Sequence, residues 1–337
     1  MLISKLVVLI FIILNINCLF NATLLNVTWL QLILETTHAK AELWSEALSN
    51  AGALAVTLQD AKENPLYEPP PGSTPLWDET RVIGLFNANV DLKFLNAYIQ
   101  EQLGEEALNS MKIEALEDQN WERTCQAHFH PMQFGQRLWV CPTWETLPDP
   151  KAINIVLNPG LAFGTGTHPT THLCLEWLDE NPPINNIVID YGCGSGILGI
   201  AALKLGAKKV YAVDHDIQAL QSTQENARQN GYSDEIIGLS PEQLQETFLE
   251  SSTLTVTHKA DLILANILAN PLKELAPQFA KLVKFKGTIV LSGILENQVE
   301  EVLQAYHPWF QEKDISILDE WCRISLVLMQ HNSLLTI

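Results

Sequence analysis

Methionine is scarce in this chain, basic residues are few, and no cysteine pair is spaced for a metal or a redox motif. Only 20 Lys and Arg stand against 39 Asp and Glu, for a net charge of −19. So acidic a surface repels nucleic acid phosphates and disfavours a direct DNA or RNA substrate. It would draw in a basic protein partner, and it also serves plain solubility. The six cysteines, Cys18, Cys125, Cys141, Cys174, Cys193 and Cys322, contain no C-x-x-C. That pattern argues against a disulfide frame or a zinc site and suits reduced thiols in a cytoplasm. His128 and His130 alternate, but no third ligand is near them in sequence, so they read as surface or hinge histidines and no metal is expected.

A membrane-spanning run is missing as well. Lys5 is followed by the apolar stretch Leu6 to Leu14, which Asn15 and Asn17 end too early for a span. The stretch imitates a signal peptide, yet no small-x-small cleavage site follows Cys18, and the sequons at Asn21 and Asn26 matter only in a secretory setting. After Met1 the next methionine is Met111, so a later start would need a codon such as GTG, which reads in frame as valine. Residues 1–26 are therefore expected to be no part of the working protein, with translation beginning at Val27.

With 47% of 337 residues hydrophobic and 18% charged, the chain can bury a substantial core and divide into two domains. From Trp29 the pattern is regular. Trp29 to Leu34, Ala53 to Leu58, Arg81 to Phe86 and Met111 to Leu116 read as strands; Ala39 to Asn50 and Asp91 to Leu103 read as helices. The order β-α-β-β-α-β is the ferredoxin-like α+β arrangement. Trp29 and Trp44 are expected in its core, and nothing in it has a catalytic look. The polar stretch 118–130 serves as a linker between a first domain, 27–117, and a second, 131–337.

The second domain carries the chemistry. In Val188-Ile-Asp-Tyr-Gly-Cys-Gly-Ser-Gly196 an apolar strand runs into Asp190, and three glycines follow at alternate positions. Gly192, Gly194 and Gly196 can reach positive φ and let a ligand approach bare main chain. Ile197 to Leu205, closed by Gly206, is the helix that follows, so strand, glycine turn and helix N-terminus form a nucleotide site. A dinucleotide fingerprint needs glycine where Ile197 stands, and Asp190 would lie beside a pyrophosphate. S-adenosylmethionine fits better, because its ammonium and sulfonium attract carboxylates. Lys208 to Asp214 is a second strand ending in an acid about 20 residues past the glycines, where a carboxylate takes two ribose hydroxyls. Cys193 inside the loop reads equally well as a small side chain or a reactive one.

Other elements complete this domain. Gln136 to Trp139 and Ile153 to Leu157 read as its opening strands. Asn158 to Thr171, with three glycines, Phe163 and several hydroxyls, has the composition of a mobile lid leading into a helix that reaches Leu178. His168 in it reads as structural. Ile217 to Asn230 is a helix, and the polar region Ser233 to His258 yields no clear strand. Asp261 to Ala265 is the fourth strand and delivers Asn266 to the crevice where open α/β sheets bind ligands. The amide of Asn266 offers donor and acceptor together, which suits an amine awaiting a methyl group. Pro271 to Phe285 and Glu296 to Tyr306 read as helices, Thr288 to Ser292 as a strand, and Ile315 to Leu318 with Arg323 to Met329 as an antiparallel pair.

Four motifs, Leu161-Ala-Phe-Gly-Thr-Gly-Thr-His-Pro-Thr-Thr171, Val188 to Leu198, Ala265-Asn-Ile-Leu268 and Leu291-Ser-Gly-Ile-Leu295, resemble the bacterial ribosomal protein L11 methyltransferase (PrmA) family. The likeness runs from about Val27 almost to the end, through Trp121-Glu-Arg123, Phe129 to Met132 and Glu320 to Ile324. It implies a class I S-adenosylmethionine-dependent methyltransferase, Rossmann-like with a seven-stranded sheet, behind an N-terminal ferredoxin-like domain that recognises the substrate protein and swings on the connector. It implies S-adenosyl-L-methionine as cofactor and L11 as partner, with trimethylation of its α-amino group and lysine ε-amino groups. Carried over by motif, the cofactor-binding residues are Thr171, Gly192, Asp214 and Asn266, with Asn266 also catalytic. Residues 1–26 have no counterpart in the family, and Leu244 to Lys259 is longer than the pattern leads one to expect. The rival readings are a class I methyltransferase for another protein or small amine, a nicotinamide oxidoreductase, which Ile197 disfavours, and a protein that merely holds S-adenosylmethionine.

Overall fold

The computed structural model describes residues 27–62, 75–117, 129–158, 166–248 and 259–329. The chain splits into two compact units, Met1–Trp121 and Glu122–Ile337. In the first, β1 (Val27–Thr37), α1 (His38–Asn50), β2 (Ala55–Asp60), β3 (Glu79–Asn87), α2 (Leu92–Ser110) and β4 (Lys112–Glu117) follow the ferredoxin-like order. The strands form one antiparallel sheet, β2-β3-β1-β4. Alternation sends Leu32 and Leu34 of β1, with Val82 and Phe86 of β3, to one face, where they pack with Trp44 and Leu48 of α1 and Leu95 and Ile99 of α2. Trp44 is buried as expected, whereas Trp29 is half-buried, because its odd register puts it on the face opposite Leu32. Asp91 caps α2 by accepting from the N–H groups of Lys93 and Phe94. That helix continues past Leu103 to Ser110 across a kink at Gly104, whose φ is +83°.

The second unit begins with β5 (Met132–Phe134), β6 (Leu138–Pro142) and β7 (Ile153–Leu157), a small sheet in which β6 and β7 run parallel. Gln136 lies in the turn before β6 and not in a strand, since its N–H is taken by the Asp179 carboxylate. The large sheet comprises β8 (Ile187–Tyr191), β9 (Lys209–Val213), β10 (Ile236–Leu239), β11 (Ala260–Asn266), β12 (Val283–Leu295), β13 (Phe310–Leu318) and β14 (Trp321–Leu328). Its order is β10-β9-β8-β11-β12-β14-β13, parallel except for β14, which runs against both neighbours. This is the seven-stranded sheet that the motif resemblance implies.

Helices α3 (Pro169–Glu180), α4 (Ile197–Lys204), α5 (Ile217–Gln229), α6 (Pro241–Phe248), α7 (Ala269–Leu282) and α8 (Val299–Tyr306) cover it. Val188 and Leu264 face a core with Trp177 and Ile200; Ile189 and Ile263 face another with Phe279 and Tyr306. Both faces are thus buried, which is why the central strands read as unbroken apolar runs. Chain order reverses between β8 and β11, leaving a crevice at their carboxyl ends. Strand β10 and helix α6 occupy part of the polar region that reads as featureless, and α7 spans Ala269–Leu282 rather than Pro271 to Phe285 because Val283 already pairs with Ala260. The expected lid core with Phe163, residues 1–26, and most of the linker, His128 included, lie outside the described residues. No helix among the described residues is long and apolar enough to cross a membrane.

Candidate functional site

The crevice is built around the glycine turn. Gly192, Gly194 and Gly196 have φ of +75°, +52° and +80°. The N–H groups of Gly192 and Cys193 both donate to the Val213 carbonyl, at 2.8 and 3.0 Å, which fastens the turn to the end of β9. A Cβ on Gly192 would stand 2.2 Å from Ile267 Cγ2, so only glycine lets the turn lie against the loop after β11. Asp190, the charged residue of β8, is 2% exposed, and its Oδ2 accepts from the Gly199 N–H at 2.9 Å. Burial raises its pKa to about 7, opposed by the Gly199 N–H and assisted by the charge of Asp214. Cys193 is a buried thiol whose pKa is raised by burial and by Asp190, so it fills space and is no nucleophile.

Asp214 follows β9 and spends one oxygen on the Gly194 N–H and the other on the Asp216 N–H, both at 3.0 Å. Asn266 ends β11, and its Nδ2 donates to Thr171 Oγ1 at 3.1 Å. The fold therefore brings Thr171, Gly192, Asp214 and Asn266 to one cavity of about 670 Å³, with Leu268, Pro271 and Leu275 along one wall. Asp190, Asp214 and Glu274 line it; among the described residues its lining contains no lysine and no arginine. Such a site is built for positive charge and would oppose a pyrophosphate. Among the described residues no group of three His, Cys, Asp or Glu side chains could hold a metal. His130 is an exposed neighbour of Glu145 at 3.6 Å.

The floor beneath Thr171 is fixed from several sides. His168 caps α3: its Nδ1 lies 2.8 Å from Thr170 Oγ1 and accepts from the Thr170 N–H, while its ring meets Trp321 edge-on at 4.9 Å. Burial lowers its pKa, which keeps the ring neutral as an accepting Nδ1 requires. Its role is thus to hold the helix, as expected. Ser292 Oγ, fully buried, sits within 3.2 Å of the Thr170 carbonyl and 3.1 Å of the Cys322 carbonyl. At the far end of α3, Asp179 accepts from the Gln136 N–H and from Arg137 Nε, locking the β5–β6 turn. Sequence reasoning passed over Ser292 and two residues of α5, Thr223 and Asn226, which bond to the glycine turn. The legible signal for the α5 pair was a polar residue at each of two positions on the inward face of an amphipathic helix.

Comparison with known proteins gives the family. The profile of the family described as "Ribosomal protein L11 methyltransferase (PrmA)" matches residues 28–328. A ribosomal protein L11 methyltransferase of Aeromonas hydrophila is 48% identical over 298 residues, covering 88% of this chain and 98% of the relative. One of Klebsiella pneumoniae is 48% identical over 297 residues, with 88% and 98% covered. Among solved structures, a ribosomal protein L11 methylase of Lactobacillus delbrueckii subsp. bulgaricus is 32% identical, covers 60% of this chain and 100% of its own, and superposes with a TM-score of 0.52.

Proposed function

The chain belongs to the ribosomal protein L11 methyltransferase family, and from that premise we propose that it transfers methyl groups from S-adenosyl-L-methionine to amines of ribosomal protein L11. The observation that carries the reading is the cavity in which Thr171, Gly192, Asp214 and Asn266, distant in sequence, meet the carboxyl groups of Asp190 and Glu274, with no lysine or arginine among the described residues that line it. The donor set fits the cofactor. Bare backbone at Gly192 admits close approach, Asp214 stands where a ribose would be held, and Asp190 supplies negative charge for an ammonium or sulfonium.

Bound there, S-adenosylmethionine supplies a methyl group on a sulfonium that leaves readily. The residues of the chain then have modest tasks. Asn266 has its Nδ2 committed to Thr171, so its Oδ1 remains to accept an N–H of the attacking amine and orient the nitrogen. Holding the nitrogen in line is the main contribution, since a well-oriented pair gains most of its rate from position. A lysine amine, with an ordinary pKa of about 10.4, arrives protonated and must shed that proton before attack. No side chain is assigned as a dedicated base. We assign the acceptors to the α-amino group and lysine ε-amino groups, methylated to the trimethyl state. We also assign residues 27–117 to recognition of the substrate protein and 131–337 to catalysis; the acidity of the chain suits a basic partner and not a nucleic acid.

The test is incubation of purified, unmethylated L11 with the chain and S-adenosylmethionine, followed by peptide mass analysis. Whole-methyl increments on the N-terminal and lysine-bearing peptides are expected. Unmodified L11 in the presence of a chain that binds the cofactor would move the assignment to another protein or a small amine.

A further inference from the structure

Helix α5 turns three polar side chains inward, Thr223, Asn226 and, at its C-cap, Asn230, spaced to share one face. Thr223 and Asn226 are each 1% exposed. Thr223 Oγ1 donates to the Gly194 carbonyl at 3.0 Å. Asn226 uses both ends of its amide: Nδ2 donates to the Ser195 carbonyl at 2.9 Å, and Oδ1 accepts from the Asn158 N–H at 3.1 Å, just beyond β7. Asn230 exchanges two bonds with Val156, accepting from its N–H at 2.9 Å and donating to its carbonyl at 2.6 Å, and so serves β7 rather than the glycine turn.

The physical problem that Asn226 answers is the freedom of the turn. Ser195 lies between Gly194 and Gly196, both at positive φ, and glycine flanks leave a peptide plane many orientations of similar energy. The N–H of the Ser195–Gly196 peptide donates to the Cys193 carbonyl at 2.7 Å, and the Asn226 amide holds the carbonyl at the other side of the same plane. Loss of a donor to a buried carbonyl is costly, so the amide from α5 completes the anchoring and helps set the orientation of the main chain before a ligand arrives. We propose that Asn226 is a positioning residue for cofactor binding, fixing the Ser195–Gly196 peptide of the glycine turn and tying that turn to the end of β7. The inference rests on reading the turn as the S-adenosylmethionine cradle.

The experiment compares Asn226→Ala with Asn230→Ala in calorimetric titrations with S-adenosylmethionine, together with steady-state kinetics and thermal melting. Asn226→Ala is expected to raise the Kd and KM for the cofactor about tenfold while kcat at saturation is retained. Asn230→Ala should melt lower too, yet keep its cofactor Kd within about twofold of wild type. Equal rises in both variants, or none in Asn226→Ala, overturn the proposal. Should Asn226→Ala fail to fold, Asn226→Asp keeps the acceptor for Asn158 and deletes the donor to Ser195; it is expected to show the same rise, and wild-type affinity overturns the proposal. A wild-type chain that ignores S-adenosylmethionine sinks the underlying reading and this one together.

Discussion

Lowering the pH from 8 to 6 is expected to weaken S-adenosylmethionine binding about tenfold, and the group responsible is Asp190. Its carboxyl is buried between β8 and α4, and burial lifts its pKa from 3.8 to about 7 against the pull of the Gly199 N–H. The folded, ligand-free protein therefore keeps a proton that the unfolded chain has released, so stability falls as pH rises from 3.8 towards 7. Above both values, holding the buried carboxylate costs about 4 kcal/mol. A cationic ligand prefers the ionised form, so affinity runs in the opposite sense to ligand-free stability. With a pKa of about 7, roughly one molecule in ten is ionised at pH 6 and nine in ten at pH 8, which gives the tenfold figure. Binding at pH 7 should also release a fraction of a proton, readable by calorimetry in two buffers of different ionisation enthalpy. His215 lines the same cavity, so the assay includes His215→Gln beside Asp190→Asn. Asp190→Asn should lose the pH slope and, without ligand, be more stable than wild type at pH 8; His215→Gln should keep the slope. A flat wild-type profile between pH 6 and 8, or a slope that disappears only with His215, refutes the reasoning.

Other changes separate binding, turnover and folding. Asn266→Ala should lower kcat about a hundredfold through lost orientation, while removing a neutral bond shifts stability by only about 1 kcal/mol; turnover assays and a melting curve check both. Gly192→Ala forces a side chain into φ of +75°, about 1–2 kcal/mol of strain, and drives its Cβ onto Ile267, so cofactor affinity measured by titration should fall more than about tenfold with circular dichroism unchanged. Asp179→Asn sets an amide against two donors at the β5–β6 turn and should cost about 1–3 kcal/mol in urea unfolding, leaving cofactor Kd as it was because Thr171 sits at the other end of α3.

What the sequence disclosed and what it hid follow from the range of the forces involved. Alternation in β1 and β3 and helical spacing in α1 are local, so the β-α-β-β-α-β order was legible, as were glycines and acids placed at strand ends. Trp29 was misplaced because one residue of register moves a side chain to the other face. Strand β10 has four residues, one of them Gly238, too few for a period to register. The end of α7 was read late because Val283 and Phe285 continue an apolar pattern that the sheet claims by pairing Val283 with Ala260. Asn266 was legible from its place at the end of the fourth strand and Thr171 only through motif likeness; the bond between them joins segments 95 residues apart and left no local signal. Asn226 and Ser292 escaped for the same reason: each acts on a backbone carbonyl, and a carbonyl leaves no mark on the residue that owns it.

The most direct measurement is an equilibrium titration of the purified chain with S-adenosylmethionine and, separately, with a nicotinamide dinucleotide. The acid-lined cavity around Gly192, Asp214 and Asn266 predicts saturable binding of the sulfonium compound, weakened in Gly192→Ala, and no binding of the pyrophosphate. Binding of the dinucleotide with indifference to S-adenosylmethionine would contradict the account.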